Sequence, residues 1–131
     1  MAIESLQYEN YSTKSDVWSF GVVLWELITF GETPYPGIHV RDVYSYLKQG
    51  MRMEKPEGCT DEFYDIMLSC WNKNPDCRPE FQDLVDKFDN MLSEGIYYLQ
   101  CSDPSLDYDT FAQDSGSKTC LEVKQYLETN F

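Results

Sequence analysis

The sequence predicts an all-α domain over residues 1–93, followed by an acidic tail over residues 94–131. Three observations lead to this prediction. Apolar residues recur at helical spacing in several segments, and Pro- and Gly-containing stretches separate those segments. No segment alternates polar and apolar residues well enough to predict a strand. We therefore expect four or five helices joined by loops.

Residues 15–30 form the most apolar segment, and the rest of the domain is expected to pack around it. Eleven of these sixteen residues are apolar or glycine, and on a helix they cover almost the whole circumference, which is typical of a buried helix. Thr13 and Asp16 have the spacing of a capping box at its start. A buried strand is the alternative, given the Val22-Val23 pair, but strands usually have only ~4–8 residues. The segment is shorter than the roughly 20 apolar residues that cross a bilayer.

Shorter helices are predicted on either side of this segment. Residues 2–6 form a helical turn, and residues 39–49 form an amphipathic helix that stops at Gly50. Thr60 caps a further helix, which ends before residue 74. Pro79 opens the last helix at its first position, where a missing N–H costs nothing.

Charge and cysteine content exclude several classes of function. The net charge of −13 argues against nucleic acid or an anionic membrane surface as a partner, since both attract Lys and Arg. The five cysteines include no Cys-x-x-Cys pair, and His39 has no ligand partners at the right spacing, so no metal site is predicted. Reduced thiols in a cytosolic or nuclear environment are the expected state.

Several short motifs occur in a fixed order over residues 1–99. They are Met1-Ala2-Ile3-Glu4-Ser5, Asp16-Val17-Trp18-Ser19-Phe20-Gly21, Pro34-Tyr35-Pro36-Gly37, Cys70-Trp71, and Pro75 with Arg78-Pro79. In this order they resemble the end of a protein kinase domain of the tyrosine kinase branch, in which the first motif is the Ala-Pro-Glu element that closes the activation segment. The resemblance implies a partial kinase C-lobe, from the end of the activation segment through the last helix.

The resemblance is greatest to receptor kinases. Ile3 stands where most kinases have proline, a variant associated with receptors of the RET and Tie type. Three further motifs resemble RET and the fibroblast growth factor receptors: Tyr35-Pro36-Gly37-Ile38, Met51-Arg52-Met53 and Met91-Leu92. The implied function of the complete protein is ATP-dependent phosphorylation of protein tyrosines by a single-pass receptor, with this part on the cytoplasmic side of the plasma membrane.

The resemblance also implies roles for individual residues. Glu4 pairs with Arg78, which fastens the end of the activation segment to the loop before the last helix, and Asp16 accepts hydrogen bonds from the backbone of the catalytic loop. From the residues alone, the first two could equally be solvated surface charges and Asp16 a capping residue. The core anchors are expected to be three tryptophans, Trp18, Trp25 and Trp71.

The motifs that handle ATP in kinases do not occur in these 131 residues. There is no Gly-x-Gly-x-x-Gly, Val-Ala-x-Lys, His-Arg-Asp or Asp-Phe-Gly sequence. We therefore expect no catalytic or cofactor-binding residue here, with ATP and Mg²⁺ bound by residues upstream in the complete kinase. The rest of the kinase domain is then the main partner. The chain alone is expected to be inactive and, with one side of its central helix bare, partly folded or aggregation-prone.

The tail is predicted to be mostly disordered, because its polar and acidic residues offer little surface to bury. Its candidate phosphotyrosines are Tyr98, Tyr108 and Tyr126, which would dock SH2 or PTB adaptor modules. Tyr8-Glu9-Asn10 also matches a phosphotyrosine-x-Asn adaptor motif, but its position in the folded part makes a chance match the better interpretation.

Two other functions stay open at this point. One is a non-catalytic short product that acts as a protein-interaction module, and the other is an unrelated acidic helical scaffold. The sequence does not determine whether Met1 is a true start.

Overall fold

The structure, a computed structural model, describes residues 1–95. It contains five α-helices and one turn of 3₁₀ helix: α1 (Ile3–Tyr8), α2 (Thr13–Ile28), α3 (Val40–Lys48), α4 (Asp61–Cys70), the 3₁₀ turn (Pro75–Cys77) and α5 (Phe81–Ser93). These residues contain no β-strand, so the all-α prediction is confirmed for this part of the chain. None of the helices is long and apolar enough to span a membrane. The predicted tail lies outside the described residues from position 96 onward.

The apolar segment forms a helix, as predicted, but the burial of α2 is one-sided. Its buried side chains include Val17, Trp18 and Leu24. Positions 16, 19, 23 and 26 follow one another at about one helical turn and form a second face. Two of these four residues are exposed and two are half-buried. We call this the open face of α2; its members are Asp16, Ser19, Val23 and Glu26. This agrees with the expectation that these residues leave one side of the central helix bare, because no element within residues 1–95 covers the open face.

The two ends of α2 also differ from the prediction. Ser12, and not Thr13, is the N-cap: the Ser12 backbone N–H donates to Ser15 Oγ at 2.7 Å, and Ser15 takes the place predicted for Asp16. At the other end the helix stops two residues early. Thr29 Oγ1 donates to the Trp25 carbonyl at 2.9 Å, and Phe30 adopts a left-handed backbone (φ 57°) with its side chain 81% exposed. Phe30 is therefore not part of the core.

Helix α2 packs tightly against α4 at Gly21. A Cβ atom added at Gly21 would lie 2.7 Å from Cys70 Cβ and 2.7 Å from Trp71 Nε1. Glycine is therefore the residue that lets these backbones come together. Thr60 caps α4 as predicted, with its Oγ1 accepting the Phe63 N–H at 3.4 Å.

Four phenylalanines join α2 and α4 to α5. Phe20 makes edge-to-face contacts with Phe81 and Phe88 at 5.9 and 6.4 Å between ring centroids, and Phe63 lies 5.9 Å from Phe88. The helix begins at Phe81 rather than at Pro79, because the Glu80 N–H is already bonded to the Asp83 carboxylate at 2.8 Å as part of the cap. Two apolar residues of this helix, Val85 and Leu92, are nonetheless exposed.

The remaining pair, α1 and α3, packs together. The start of α1 is buried through Ile3 and Ser5, whereas its end is exposed. The amphipathic prediction for α3 is confirmed at its boundaries, with Gly50 in the left-handed conformation (φ 87°) just after the C-cap. Its first apolar residue, Val40, is nonetheless exposed, and Leu47 is the buried one.

Candidate functional site: an arginine cluster

The loop between α4 and α5 positions Arg78 through two asparagine turns. Asn72 Oδ1 accepts the Asn74 N–H at 3.0 Å, and Asn74 Oδ1 accepts the Asp76 N–H at 3.1 Å. Asparagine side chains favour such turns because they replace a backbone acceptor. Pro75 then starts the 3₁₀ turn, and Arg78 follows in extended conformation. The guanidinium is thereby directed inward.

Arg78 forms a two-pronged ion pair with Glu4, 74 residues away in sequence. Nη1 donates to Oε1 at 2.7 Å and Nη2 to Oε2 at 2.8 Å. The Arg78 side chain is fully buried and that of Glu4 is 15% exposed. A fork-to-fork pair of this kind adds both charge-assisted hydrogen bonds and a fixed orientation. It joins α1 to the loop before α5.

The remaining groups around Arg78 compensate its burial. Nε donates to the Asn72 carbonyl at 2.8 Å, and Nη1 also donates to the Lys14 carbonyl at 2.9 Å. The guanidinium carbon lies 4.9 Å from the centroid of the Trp18 ring, within the range of a cation–π contact. A buried charge is tolerable only when it is paired and hydrogen-bonded in this way.

Lys14, in the first turn of α2, completes a reciprocal link to Arg78. Its Nζ donates to the Arg78 carbonyl at 2.7 Å and pairs with Glu80 at 2.6 Å. Lys14 and Arg78 therefore each have their own carboxylate, Glu80 and Glu4 respectively, which offsets the repulsion between the two positive charges. The beginning of α2 is fastened to the beginning of α5.

Arg52 is the second guanidinium on Trp18, at 5.0 Å from its ring centroid. Its Nε donates to the Trp71 carbonyl at 2.9 Å and its Nη1 to the Leu47 carbonyl at 3.1 Å. Burial lowers the pKa of Arg52, and the positive charge of Arg78 acts in the same direction. We refer to Glu4, Lys14, Trp18, Arg52 and Arg78 as the arginine cluster.

The electrostatics of Glu4 are set by two opposing effects. Partial burial would raise the pKa of its carboxyl group, but the hydrogen bonds and charge of Arg78 outweigh burial. The pKa of Glu4 is therefore lower than its ordinary value of 4.5. The carboxylate is ionised at neutral pH, as the ion pair requires.

The other residues singled out from the sequence lie at different places relative to the Glu4–Arg78 pair. All three tryptophans are buried, and Trp25 Nε1 donates to the Glu54 carbonyl at 3.1 Å. Asp16 lies on the open face with an exposed side chain. Tyr98, Tyr108 and Tyr126 lie outside the described residues. Sequence reasoning gave no role to Lys14 and named Arg52 only as part of the motif Met51-Arg52-Met53, because local spacing does not indicate contacts made across the fold.

The chemistry available in this part of the chain is structural. Residues 1–95 contain no group of three His, Cys, Asp or Glu side chains placed to hold a metal ion. Burial raises the pKa of Cys70 to about 11, so this thiol is protonated at neutral pH and is a poor nucleophile. The side chains of residues 1–95 do not fit a magnesium–nucleotide site. What the arginine cluster can do is hold α1, α2 and α5 in register.

Comparison with known proteins identifies the family. The family model for protein tyrosine and serine/threonine kinases matches residues 1–88. A fibroblast growth factor receptor of Hydra vulgaris is 50% identical over 92 residues, covering 70% of this chain and 11% of the receptor. Fibroblast growth factor receptor 1 of Xenopus laevis is 44% identical over 122 residues, covering 92% of this chain and 15% of that receptor. The tyrosine kinase receptor Cad96Ca of Drosophila melanogaster is 42% identical over 119 residues, covering 90% of this chain and 15% of that receptor.

The chain thus spans less than a sixth of the length of these three receptors. The matches nevertheless extend over most of its own residues and include α1 to α5 up to position 88. The chain therefore belongs to the protein tyrosine and serine/threonine kinase family and corresponds in sequence to a part of a receptor tyrosine kinase.

Proposed function

We propose that residues 1–93 form the last helices of the C-lobe of a receptor tyrosine kinase and that the arginine cluster holds this region in its working geometry. The observation that carries the proposal is the buried two-pronged pair between Glu4 and Arg78. In the kinase pattern Glu4 closes the activation segment. Its position then depends on Arg78, and through Lys14 on α2 and α5.

The open face of α2 is the surface that we assign to the rest of the kinase domain. A helix as apolar as α2 loses stability when one side meets water, since each Å² of apolar surface buried contributes ~25 cal/mol. Val23 lies half-buried on this face, and the exposed Asp16 lies two turns before it. An acceptor at this place could bind backbone N–H groups of a catalytic loop supplied by the rest of the domain.

The activity that we propose for the complete protein is transfer of the γ-phosphate of ATP to protein tyrosines. ATP and Mg²⁺ would be bound by residues beyond these 131, because none of the family's phosphate-handling motifs occurs among them. On this proposal the chain by itself does not turn over ATP. The complete receptor would place this part on the cytoplasmic side of the plasma membrane.

Two assays test these roles. The purified 131-residue chain should release no phosphate from ATP above a blank, with or without Mg²⁺, and metal-dependent turnover would refute the inactive assignment. In the complete kinase, Asp16→Asn should lower kcat for peptide phosphorylation at least about tenfold without lowering the unfolding temperature by more than a few degrees. Asp89→Asn, the same change at an exposed carboxylate of α5, is the matched control and should leave kcat unchanged. Equal kcat for both variants would contradict the anchoring role of Asp16.

We further propose that Tyr98, Tyr108 and Tyr126 dock SH2 or PTB modules once phosphorylated. Support comes from sequence context alone: Tyr108, for example, lies in Leu-Asp-Tyr-Asp, an acidic setting. Phosphate would add about −1.5 to −2 charge for an arginine pocket of the partner. Mass spectrometry of the chain after treatment with an active receptor kinase domain tests the first step, and absence of phosphate at all three positions would contradict the proposal.

A non-catalytic interaction module is the alternative, and the absence of phosphate-handling motifs favours it equally. The two functions differ in the cell. A module exists as a free 131-residue product, whereas a kinase part is detected only within a longer polypeptide. Immunoblotting of native tissue with an antibody to residues 81–93 distinguishes them by mass.

A further inference from the structure

We propose that Tyr8 is a phosphorylation site and that its phosphorylated form docks an SH2 module that selects asparagine two residues after the phosphotyrosine. Of the ten tyrosines in the chain, only Tyr8 is followed by asparagine at that spacing. The proposal goes beyond the function above, because any protein tyrosine kinase can supply the phosphate and no catalysis by this chain is needed.

Exposure is the first observation in favour. The sequence alone made a chance match the better interpretation, since Tyr8 lies in the folded part. The structure places it instead in a run of eight exposed residues, positions 6–13, that connects α1 to α2. Tyr8 is 70% exposed, and Glu9 and Asn10 are exposed beside it. The phenol and the side chain that an SH2 module would read are thus at the surface together.

The second observation is how weakly this segment is held. Tyr8 is the last residue of a six-residue helix whose N-cap makes no side-chain hydrogen bond, and helices this short have little stability of their own. The buried residues of α1, Ile3 and Ser5, lie at its beginning. The last turn can therefore open without exposing them. A kinase active site, which needs the tyrosine in an accessible and extended segment, could then bind Tyr8.

Few bonds have to break for this opening. Gln7 Nε2 donates to the Tyr8 hydroxyl at 2.7 Å in an exposed position, and Ser5 Oγ donates to the Asn10 carbonyl at 2.7 Å. The Glu9 N–H donates to the Ser5 carbonyl at 3.1 Å, where Glu9 ends the helix in the left-handed conformation (φ 52°). The Gln7–Tyr8 bond is exposed and exchanges readily for bonds to water, whereas the Ser5–Asn10 bond is part-buried and has to be broken for the segment to open.

The charge around Tyr8 would leave its phosphate free for a partner. Residues 1–13 contain no lysine or arginine. The next cation in sequence, Lys14, is bound to Glu80 and to the Arg78 carbonyl, and Arg78 itself is bound to Glu4. The one lysine or arginine within residues 1–14 is therefore already paired, and the arginines of an SH2 pocket would serve as counterions of the phosphate.

The chemistry is an ordinary phosphoryl transfer. The phenol oxygen of Tyr8 attacks the γ-phosphorus of ATP, the bond from that phosphorus to the β,γ-bridging oxygen breaks, and ADP leaves. The phenol proton passes to a carboxylate of the protein tyrosine kinase that acts as the enzyme. The SH2 module then binds the phosphate through its arginines. Its second contact is with the Asn10 side-chain amide, which both donates and accepts hydrogen bonds.

The experiment uses the full 131-residue chain, MgATP and the soluble kinase domain of a receptor tyrosine kinase. Phosphate sites are assigned by mass spectrometry, and binding of an SH2 module selective for asparagine at the second position is measured by calorimetry. Tyr11 provides the matched control, because it is 65% exposed in the same segment but is followed by Ser12-Thr13. The variants are Tyr8→Phe, Asn10→Ala and Tyr11→Phe.

We expect phosphate on Tyr8 in the unaltered chain and SH2 binding that Tyr11→Phe leaves unchanged. Tyr8→Phe should abolish binding, and Asn10→Ala should keep the phosphate but weaken binding at least about tenfold, corresponding to about 1.4 kcal/mol. Lack of phosphate on Tyr8, or SH2 binding that survives Asn10→Ala, would overturn the proposal. A phosphopeptide of residues 4–14 serves as reference: if it binds and the phosphorylated chain does not, the surface of the folded chain does not admit the module, and the proposal is equally wrong.

Discussion

The two faces of α2 illustrate two different uses of one helix. On one side Gly21 allows α4 to approach closely, and Trp18 carries both guanidiniums of the arginine cluster. On the other side, the open face exposes Asp16 and Ser19 to solvent. The first face is packed against other elements within residues 1–95, whereas the second is a surface on which further protein can pack. Changes on the first face should therefore act on folding, and changes on the second on assembly and activity.

The largest effect is expected from Arg78→Ala. Removing one partner of a buried pair strands the other charge and typically costs ~3–5 kcal/mol. In the complete kinase domain, urea unfolding should show a loss of this size. Arg41→Ala is the control, because Arg41 is exposed and its contact with Asp42 is long, at 3.9 Å; it should change stability by less than ~1 kcal/mol. Similar losses for the two variants would remove the distinction between the buried cluster and the surface.

Gly21→Ala should have the next largest effect. The added methyl group would meet Cys70 and the Trp71 ring at 2.7 Å, and overpacking of this kind costs ~1–3 kcal/mol. Asp89→Ala, at an exposed position of α5, should stay within ~0.5 kcal/mol of the unaltered protein. Thermal unfolding of the complete kinase domain measures both. A neutral Gly21→Ala would mean that α2 and α4 are further apart than described.

Ser12→Ala tests the start of α2 and should cost ~1 kcal/mol, since it removes the N-cap side chain. Thr13→Ala should have a smaller effect, because Thr13 is the first helical residue and not the cap. The comparison is made by urea unfolding at constant pH. If Thr13→Ala were the more damaging, the helix would begin one residue later, as the sequence pattern suggested.

The smallest effect is the acid dependence of the Glu4–Arg78 pair. Because the folded-state pKa of Glu4 is lowered, its contribution is complete above the ordinary value of 4.5 and is lost as the pH falls through the folded-state value. The stability difference between the unaltered protein and Glu4→Gln should be constant from pH 7 to about 5 and shrink at lower pH. A difference that grew on acidification would contradict the sign of this coupling.

The elements that could be predicted from sequence are those with strong local signals. Apolar spacing and the cap at Thr60 were enough to predict α3 and α4. The start of α2 was displaced by one residue because Ser12 and Thr13 are both good caps, and only the backbone decides between them. That one side of α2 would stay bare in this chain followed from the resemblance to kinases, because composition alone reports how apolar a helix is and not which neighbours reach it.

The site was only partly predictable for a similar reason. Glu4 and Arg78 were singled out by resemblance to kinases, whereas local spacing could not relate residues 74 positions apart. Lys14 and Arg52 contribute through backbone carbonyls and the Trp18 ring. Such contacts leave no pattern in the sequence, because every residue carries a carbonyl group.

The most direct measurement is a double-mutant cycle on Glu4 and Arg78 in the complete kinase domain. Unfolding free energies of the unaltered protein, Glu4→Gln, Arg78→Ala and the double variant give the coupling between the two side chains. We predict a favourable coupling of about 1–3 kcal/mol, with the double variant less damaging than the sum of the single changes. Strict additivity of the two substitutions would show that the pair does not fasten α1 to the loop before α5.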